Sequence, residues 1–206
     1  MAERALALSY APADARAGLE ALFALDDTLA AILRTTREPM VGQMRLTWWH
    51  DALTRLDAGP PPANPVLQAL ADSVIPRIGS AALIPMIDGW EALLDEPLDA
   101  EAIERFAVQR GGTLFTAAGA LLRDERSGLR GAGAGWALAD LAANLGDAKL
   151  RANAREMARP RLDDAMASRW PVRLRALGAL VLLAREGVPG SPARVARLLW
   201  HRATGL

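Results

Sequence analysis

The feature that most constrains this chain is the period of its apolar residues. Leucine, alanine and tryptophan recur three and four positions apart along almost all of the 206 residues, and the alternation that marks a half-buried strand is hard to find. Such a period puts apolar side chains on one face of a helix. Threonine, valine, isoleucine and tyrosine, which favour strands, are sparse, whereas alanine, leucine and arginine are plentiful. An all-α fold is expected.

Proline and glycine divide the pattern into segments. The spacing predicts a first helix from about Ala13 to Arg34, with Leu19, Leu22, Phe23, Leu29 and Leu33 on its apolar stripe. Pro39 suits the first turn of a second helix reaching about Asp57, and "AGPPPANP", 58–65, is a rigid connector. Helices follow over 66–75, stopped by Pro76, and over 79–95 and 99–122, where Gly111 and Gly112 bend the helix or mark a close helix contact. After the polar turn "RDERSGLRGAG", a helix is predicted over 135–150, one or two short ones over 151–171, and another over 171–186. The last helix has the most complete signals: Ser191 caps it, Pro192 takes its first turn, His201 and Arg202 suit its C-terminal dipole, and Gly205 follows. One domain over 1–206, of about eight to ten helices, is expected.

Composition removes several function classes. Cysteine is absent and histidine occurs only at 50 and 201, so thiolate and all-histidine metal sites are excluded. Any metal would be held by carboxylates, which suits magnesium or manganese. With 24 basic and 24 acidic residues, nucleic-acid binding through net charge is not expected. Every basic residue but Lys149 is arginine, the better partner for phosphate and carboxylate forks. The longest clean apolar run is Ala176 to Ala184, well short of the roughly 20 residues a membrane span needs. The N-terminus lacks an apolar core followed by a small-residue cleavage site. No transmembrane segment or signal peptide is expected, and the location follows as cytoplasmic or peripheral to a membrane.

Three stretches carry candidate chemistry. In "ALFALDDTLAAILRTTREPM", Asp27, Ala30, Ala31 and Arg34 share a helix face. A diphosphate-bound magnesium calls for two or three carboxylates on such a face, and this one offers a single aspartate, two alanines and a cation. Asp26 points about 100° away from Asp27, so the pair is either solvated or half of a site. In "VGQMRLTWWHDAL", Arg45 and Trp49 stand one turn apart, as do Met44 and Trp48. One tryptophan can pack in the core while the other lines a cavity, and Arg45 can hold an anion, stack on Trp49, or pair with Asp51 or Glu38. In "LADLAANLGDAKLRANAREM", Asp140, Asn144 and Asp147 fall at i, i+4 and i+7, which places three oxygen-bearing side chains on one stripe, or forms a polar face towards solvent. Lys149, Arg151 and Arg155 just beyond suit phosphate or a helix C-terminus. No Walker loop or dinucleotide fingerprint is present, and no Ser-His-Asp triad is suggested by spacing.

Four stretches, "ALFAL", "REPMVGQMRLTWWHDAL", "GGTLFTAAGALL" and "LADLAANLGDAKLRANAREMARPRLDD", resemble the squalene and phytoene synthase family in order and spacing. The ending "GSPARVARLLWHRATG" is similar to that of its small bacterial members, so the resemblance runs from about Ala13 to Leu206. The RL-x-WW element is its most specific part. The resemblance implies an all-α isoprenoid synthase-like bundle around a central cavity. Enzymes of the family join two prenyl diphosphates head to head, using two aspartate-rich motifs that bridge magnesium to diphosphate. Carried onto this chain, the acids of the first motif fall on Ala30, Ala31 and near Arg34, with Asp26 and Asp27 one turn too early. The second motif falls on Asn144 to Arg151, where Asp147 matches one acid and Leu150 and Arg151 replace others.

That departure resembles the branch containing the mitochondrial respiratory complex I assembly factor, which keeps the fold without the chemistry. The resemblance therefore implies a non-catalytic protein that acts in respiratory complex assembly or binds an isoprenoid-like lipid. A protein partner or a prenyl diphosphate is then expected, with Arg34, Arg45, Trp49 and Asn144 contacting ligand and no cofactor. The alternative is an active magnesium-dependent prenyltransferase making squalene- or phytoene-like products from farnesyl or geranylgeranyl diphosphate, with Asp27, Asp140 and Asp147 as metal ligands.

Overall fold

The computed structural model describes residues 2–36, 38–186 and 191–206, and no strand occurs among them. The helices are α1 Ala2–Leu8, α2 Ala13–Thr35, α3 Pro39–Thr54, α4 Pro65–Ser73, α5 Ile75–Ile78, α6 Ile84–Glu91, α7 Ala100–Phe106, α8 Thr113–Leu121, α9 Leu129–Asn144, α10 Ala148–Met166, α11 Arg175–Arg185 and α12 Pro192–Thr204. A π-helical turn, Ala107–Gly112, joins α7 to α8 without a break, and α5 continues α4 past Val74. Among the described residues the chain thus forms ten helical rods, at the upper end of the expected number.

Local signals set most boundaries. Pro39, Pro65 and Pro192 sit in first turns, where the missing N–H costs nothing. Asn64 accepts from the backbone N–H of Val66 at 2.9 Å, Asp99 from Ala102 at 2.9 Å and Ser191 from Arg194 at 3.3 Å. Several boundaries differ from expectation. α9 starts at Leu129, inside the stretch read as a polar turn, Pro76 lies within α5 rather than stopping a helix, and α6 starts only at Ile84. The segment read as one helix over 135–150 breaks after Asn144, because Asp147 accepts from Leu150 N at 2.8 Å and starts α10 as its N-cap. The segment read as one or two short helices is a single helix that runs through Pro160. Packing of α10 along α9 and α11 offsets the hydrogen bond lost at the proline.

A contiguous apolar core extends from Ala7 to Leu198, with Phe106, Phe115 and Trp170 among its largest fully buried side chains. At its centre the π turn lies between α6 and α9, backbone against backbone. A Cβ on Gly111 would stand 2.1 Å from Gly133 O, one on Gly133 would stand 2.0 Å from Gly111 O, and one on Gly89 would stand 2.6 Å from Arg110 N. Gly111 therefore marks a close helix contact, one of the two readings of the glycine pair. None of the described helices is long and apolar enough to cross a membrane.

His201 secures α12 from within. It is fully buried, and its Nδ1 lies 3.2 Å from Leu206 O. The backbone oxygen can only accept, so Nδ1 carries the proton of the neutral ring. Burial pushes its pKa below 6.5. The unfolded chain takes up this proton first as pH falls. Stability is therefore complete above pH 6.5 and declines as the pH drops towards the lowered folded value. Chemical denaturation near neutrality and about two pH units lower, well across that range, should show a smaller acid loss in His201→Leu than in the parent chain. Equal losses would remove His201 as the cause.

Candidate ligand cleft

Arg110, carried by the π turn, is only 3% exposed, and Asp26 on α2 only 1%. The Arg110 Nε and Nη2 donate to the two Asp26 oxygens at 2.7 Å each, and Nη1 donates to Asp140 Oδ2 on α9 at 2.7 Å. Trp90 Nε1 on α6 donates to the same Asp26 at 3.2 Å. The guanidinium lies 4.3 Å from the Trp90 ring centroid, 4.8 Å from Trp136 and 5.2 Å from Phe106. Burial pulls its pKa down, but the charge of Asp26, the hydrogen bonds to it and then Asp140 more than reverse this, so the net shift is upward. Arg110 is a permanent cation.

Above this cluster lies a cleft of about 610 Å³ between α2, α9, α10 and α11. Asp27 and Arg34 face it from α2, Asp140 and Asn144 from α9, and Arg155 and Arg159 from α10. Seven arginines and four carboxylates line it, so it is electropositive. The carboxylates are engaged. Arg4 grips Asp27 with both terminal nitrogens, Nη1 reaching Oδ1 at 2.7 Å. The hydrogen bond to Asp27 is the main reason the Arg4 pKa is raised. Arg185 pairs with Asp163 at 2.7 Å. Among the described residues, Arg34, Arg155 and Arg159 have no hydrogen bond or ion pair, and all three are exposed. Trp136, Leu162 and Leu180 add apolar wall. Among the described residues no group of three His, Cys, Asp or Glu is placed to hold a metal ion.

The structure brings Arg34, Asp27, Asp140 and Asn144 to this one cleft. Asn144 Nδ2 donates to the backbone oxygen of Asp140 at 2.8 Å. Asp147 lies apart as the exposed N-cap of α10. Arg45 and Trp49 do not line the cleft either: Arg45 Nη1 donates to Thr35 Oγ1 at 3.2 Å and Thr36 Oγ1 at 3.0 Å, tying α3 to the end of α2, and Trp49 is buried in the core. Of Lys149, Arg151 and Arg155, only Arg155 reaches the lining. Sequence reasoning missed Arg4, Trp90, Arg110 and Arg159. One signal for Arg110 was available, a lone charge between apolar residues and two glycines in "FAVQRGGTLF".

No curated protein and no solved structure matches the chain. The family profile for squalene/phytoene synthase matches residues 2–158, so the similarity read up to Leu206 is carried by the profile only into α10. The matched span holds Asp26, Trp90, Arg110 and Asp140, the buried cluster beneath the cleft. On this match over residues 2–158, together with an all-α fold like that of the isoprenoid synthases, the chain belongs to the squalene/phytoene synthase family.

Proposed function

We propose that this protein is a non-catalytic member of the family that holds the anionic head of an isoprenoid-like lipid, a prenyl diphosphate by family kinship, on arginine side chains and without a metal cofactor. The observation that carries this reading is the pairing of guanidinium groups with the carboxylates nearest the cleft. Ionising an allylic diphosphate calls for concentrated divalent charge at the leaving group. The donor set does not fit such a magnesium cluster. Asp26 is buried under Arg110, Asp140 shares that arginine, Asp27 is gripped by Arg4, and Ala30 offers no oxygen. The arginine fork suits phosphate oxygens directly, and Arg34, Arg155 and Arg159 supply three such forks. The sequence resemblance to the assembly-factor branch supports a role for this binder in respiratory complex assembly. A lipid ligand of this kind puts it in the cytoplasm or at a membrane surface.

A second reading, an active magnesium-dependent prenyltransferase making squalene- or phytoene-like products, is favoured by the convergence of Asp27, Asp140 and Asn144 on one cleft. Thermal unfolding with farnesyl or geranylgeranyl diphosphate separates the two. At about 100 times Kd a ligand adds about 2.7 kcal/mol, or roughly 5–10 °C for a chain of this size. The shift should persist in excess chelator, weaken about tenfold in affinity in an Arg155→Ala, Arg159→Ala variant, and come with no condensed product. Magnesium-dependent turnover would establish the second reading, and absence of any shift would remove the ligand from the first.

A further inference from the structure

We propose that the outer face of α3 is a docking surface for a cationic amphipathic helix of a partner protein. The helix turns Leu46, Trp49 and Leu53 into the core. Its opposite face is apolar too. Met40, Met44 and Trp48 follow one another at i, i+4 and i+8 with 74%, 67% and 50% of their surface exposed, and Val41 beside them is 42% exposed. A helix on the outside of a bundle normally turns polar residues outward. A contiguous row of large apolar side chains marks an interaction site more often than scattered single ones do.

The row suits a helix as its occupant. Residues four apart form the ridge that interdigitates with the groove of a second helix. The two methionines are flexible enough to mould around a partner side chain. Trp48 is steadied by its edge-on contact with the buried Trp49, ring centroids 5.3 Å apart at 86°, so less freedom is lost when it is covered.

The charge beside the row selects the partner. A hollow of about 400 Å³ between α3 and α6 is lined by Gln43, Asp88, Glu91, Asp95 and Arg105. Arg105 is paired with Asp95, and Gln43 donates to Glu91 at 3.0 Å. Asp88 is exposed and has no partner among the described residues. Glu38 adds an exposed carboxylate at the start of α3, whereas Asp51 near its end is shared with His50 at 3.6 Å and Arg55 at 3.9 Å, and Arg45 beside the row is tied back to Thr35 and Thr36. An acidic bank along an apolar row attracts lysine and arginine flanking apolar anchors, and repels a membrane of anionic lipids.

The test uses the whole chain and a fluorescent synthetic helix of about 18 residues, or five turns, with leucine at three- and four-residue spacing and lysine or arginine elsewhere. A twin peptide carries glutamate in place of the basic residues. Anisotropy should show salt-sensitive binding of the cationic helix, with the twin at least tenfold weaker. Met44→Glu should reduce affinity at least tenfold with an unchanged circular dichroism spectrum and melting temperature, while Val195→Glu on α12 should leave it unchanged. Asp88→Lys should weaken the cationic helix and strengthen its twin. The proposal is overturned by absence of binding, by equal binding of both peptides, or by indifference to Met44→Glu. Concentration-dependent dimerisation abolished by Met44→Glu would also overturn it in favour of a second copy, and binding to phosphatidylglycerol vesicles abolished by that change would overturn it in favour of a membrane.

Discussion

Arg110→Met should lower the free energy of unfolding by about 3–5 kcal/mol, the usual cost of removing one partner from a buried ion pair. For a chain of this length that corresponds to roughly 10 °C in melting temperature. The loss comes from what is left behind. Asp26 stays 1% exposed, with the Trp90 indole as its one remaining donor among the contacts described. Methionine fits among Trp90, Phe106 and Trp136 and makes favourable sulfur–aromatic contacts, so a cavity is not the main cause. Adding Asp26→Leu, nearly the same shape, should restore most of the stability, because an apolar pair in place of a buried ion pair is often neutral or better. Thermal and denaturant unfolding of the two variants would measure this. A single variant within about 1 kcal/mol of the parent would mean that the ion cluster contributes no more than a surface pair does.

Gly111→Ala should cost as much through sterics alone. The new methyl would stand 2.1 Å from Gly133 O and 2.6 Å from Ala137 Cβ. A carbonyl oxygen in the middle of α9 cannot rotate aside as a side-chain tip can, so the helix itself must move by more than 1 Å. The cost should reach or exceed the ~3 kcal/mol at the upper end of ordinary overpacking. The same displacement drags Asp140 away from Arg110, so affinity for an anionic ligand should fall along with stability. Gly131→Ala is the matched control: it lies in α9 with nothing within 4 Å of the added methyl. It should be neutral or stabilising by up to ~1 kcal/mol. Melting curves of the two alanine variants should therefore move apart, and coincident curves would discount the close crossing.

Much of the fold was written locally. The first predicted helix ended one residue from the observed end of α2, and the proline of α3 and the cap and proline of α12 lie where their chemistry put them. Two local ambiguities misled. Aspartate serves equally as a member of an acidic stripe and as an N-cap, and Asp147 proved to be the cap that separates α9 from α10. Seven residues of α1 are too few to display a period. The cleft was half legible. The faces of α2 and α9 that line it follow from helical spacing, and Asp27, Arg34, Asp140 and Asn144 were found that way. Its floor was not, because Asp26 and Arg110 are 84 positions apart and nothing in "LDDTLAA" tells which aspartate is solvated. Burial of a charge is decided by a tertiary partner, and pairing at that range leaves no periodic trace.

A single guanidinium group is bonded to α2 and α9 and stacked on a ring of α6, while its own backbone sits in the crowded turn before α8. Detaching α2 on its own would leave the buried guanidinium without its main carboxylate partner. Partial opening there is thereby made costly, which ties α2, the π turn and α9 together against local unfolding. The cleft is assembled only once the N-terminal part of the chain has met its middle, so its shape reports whether the fold as a whole is intact.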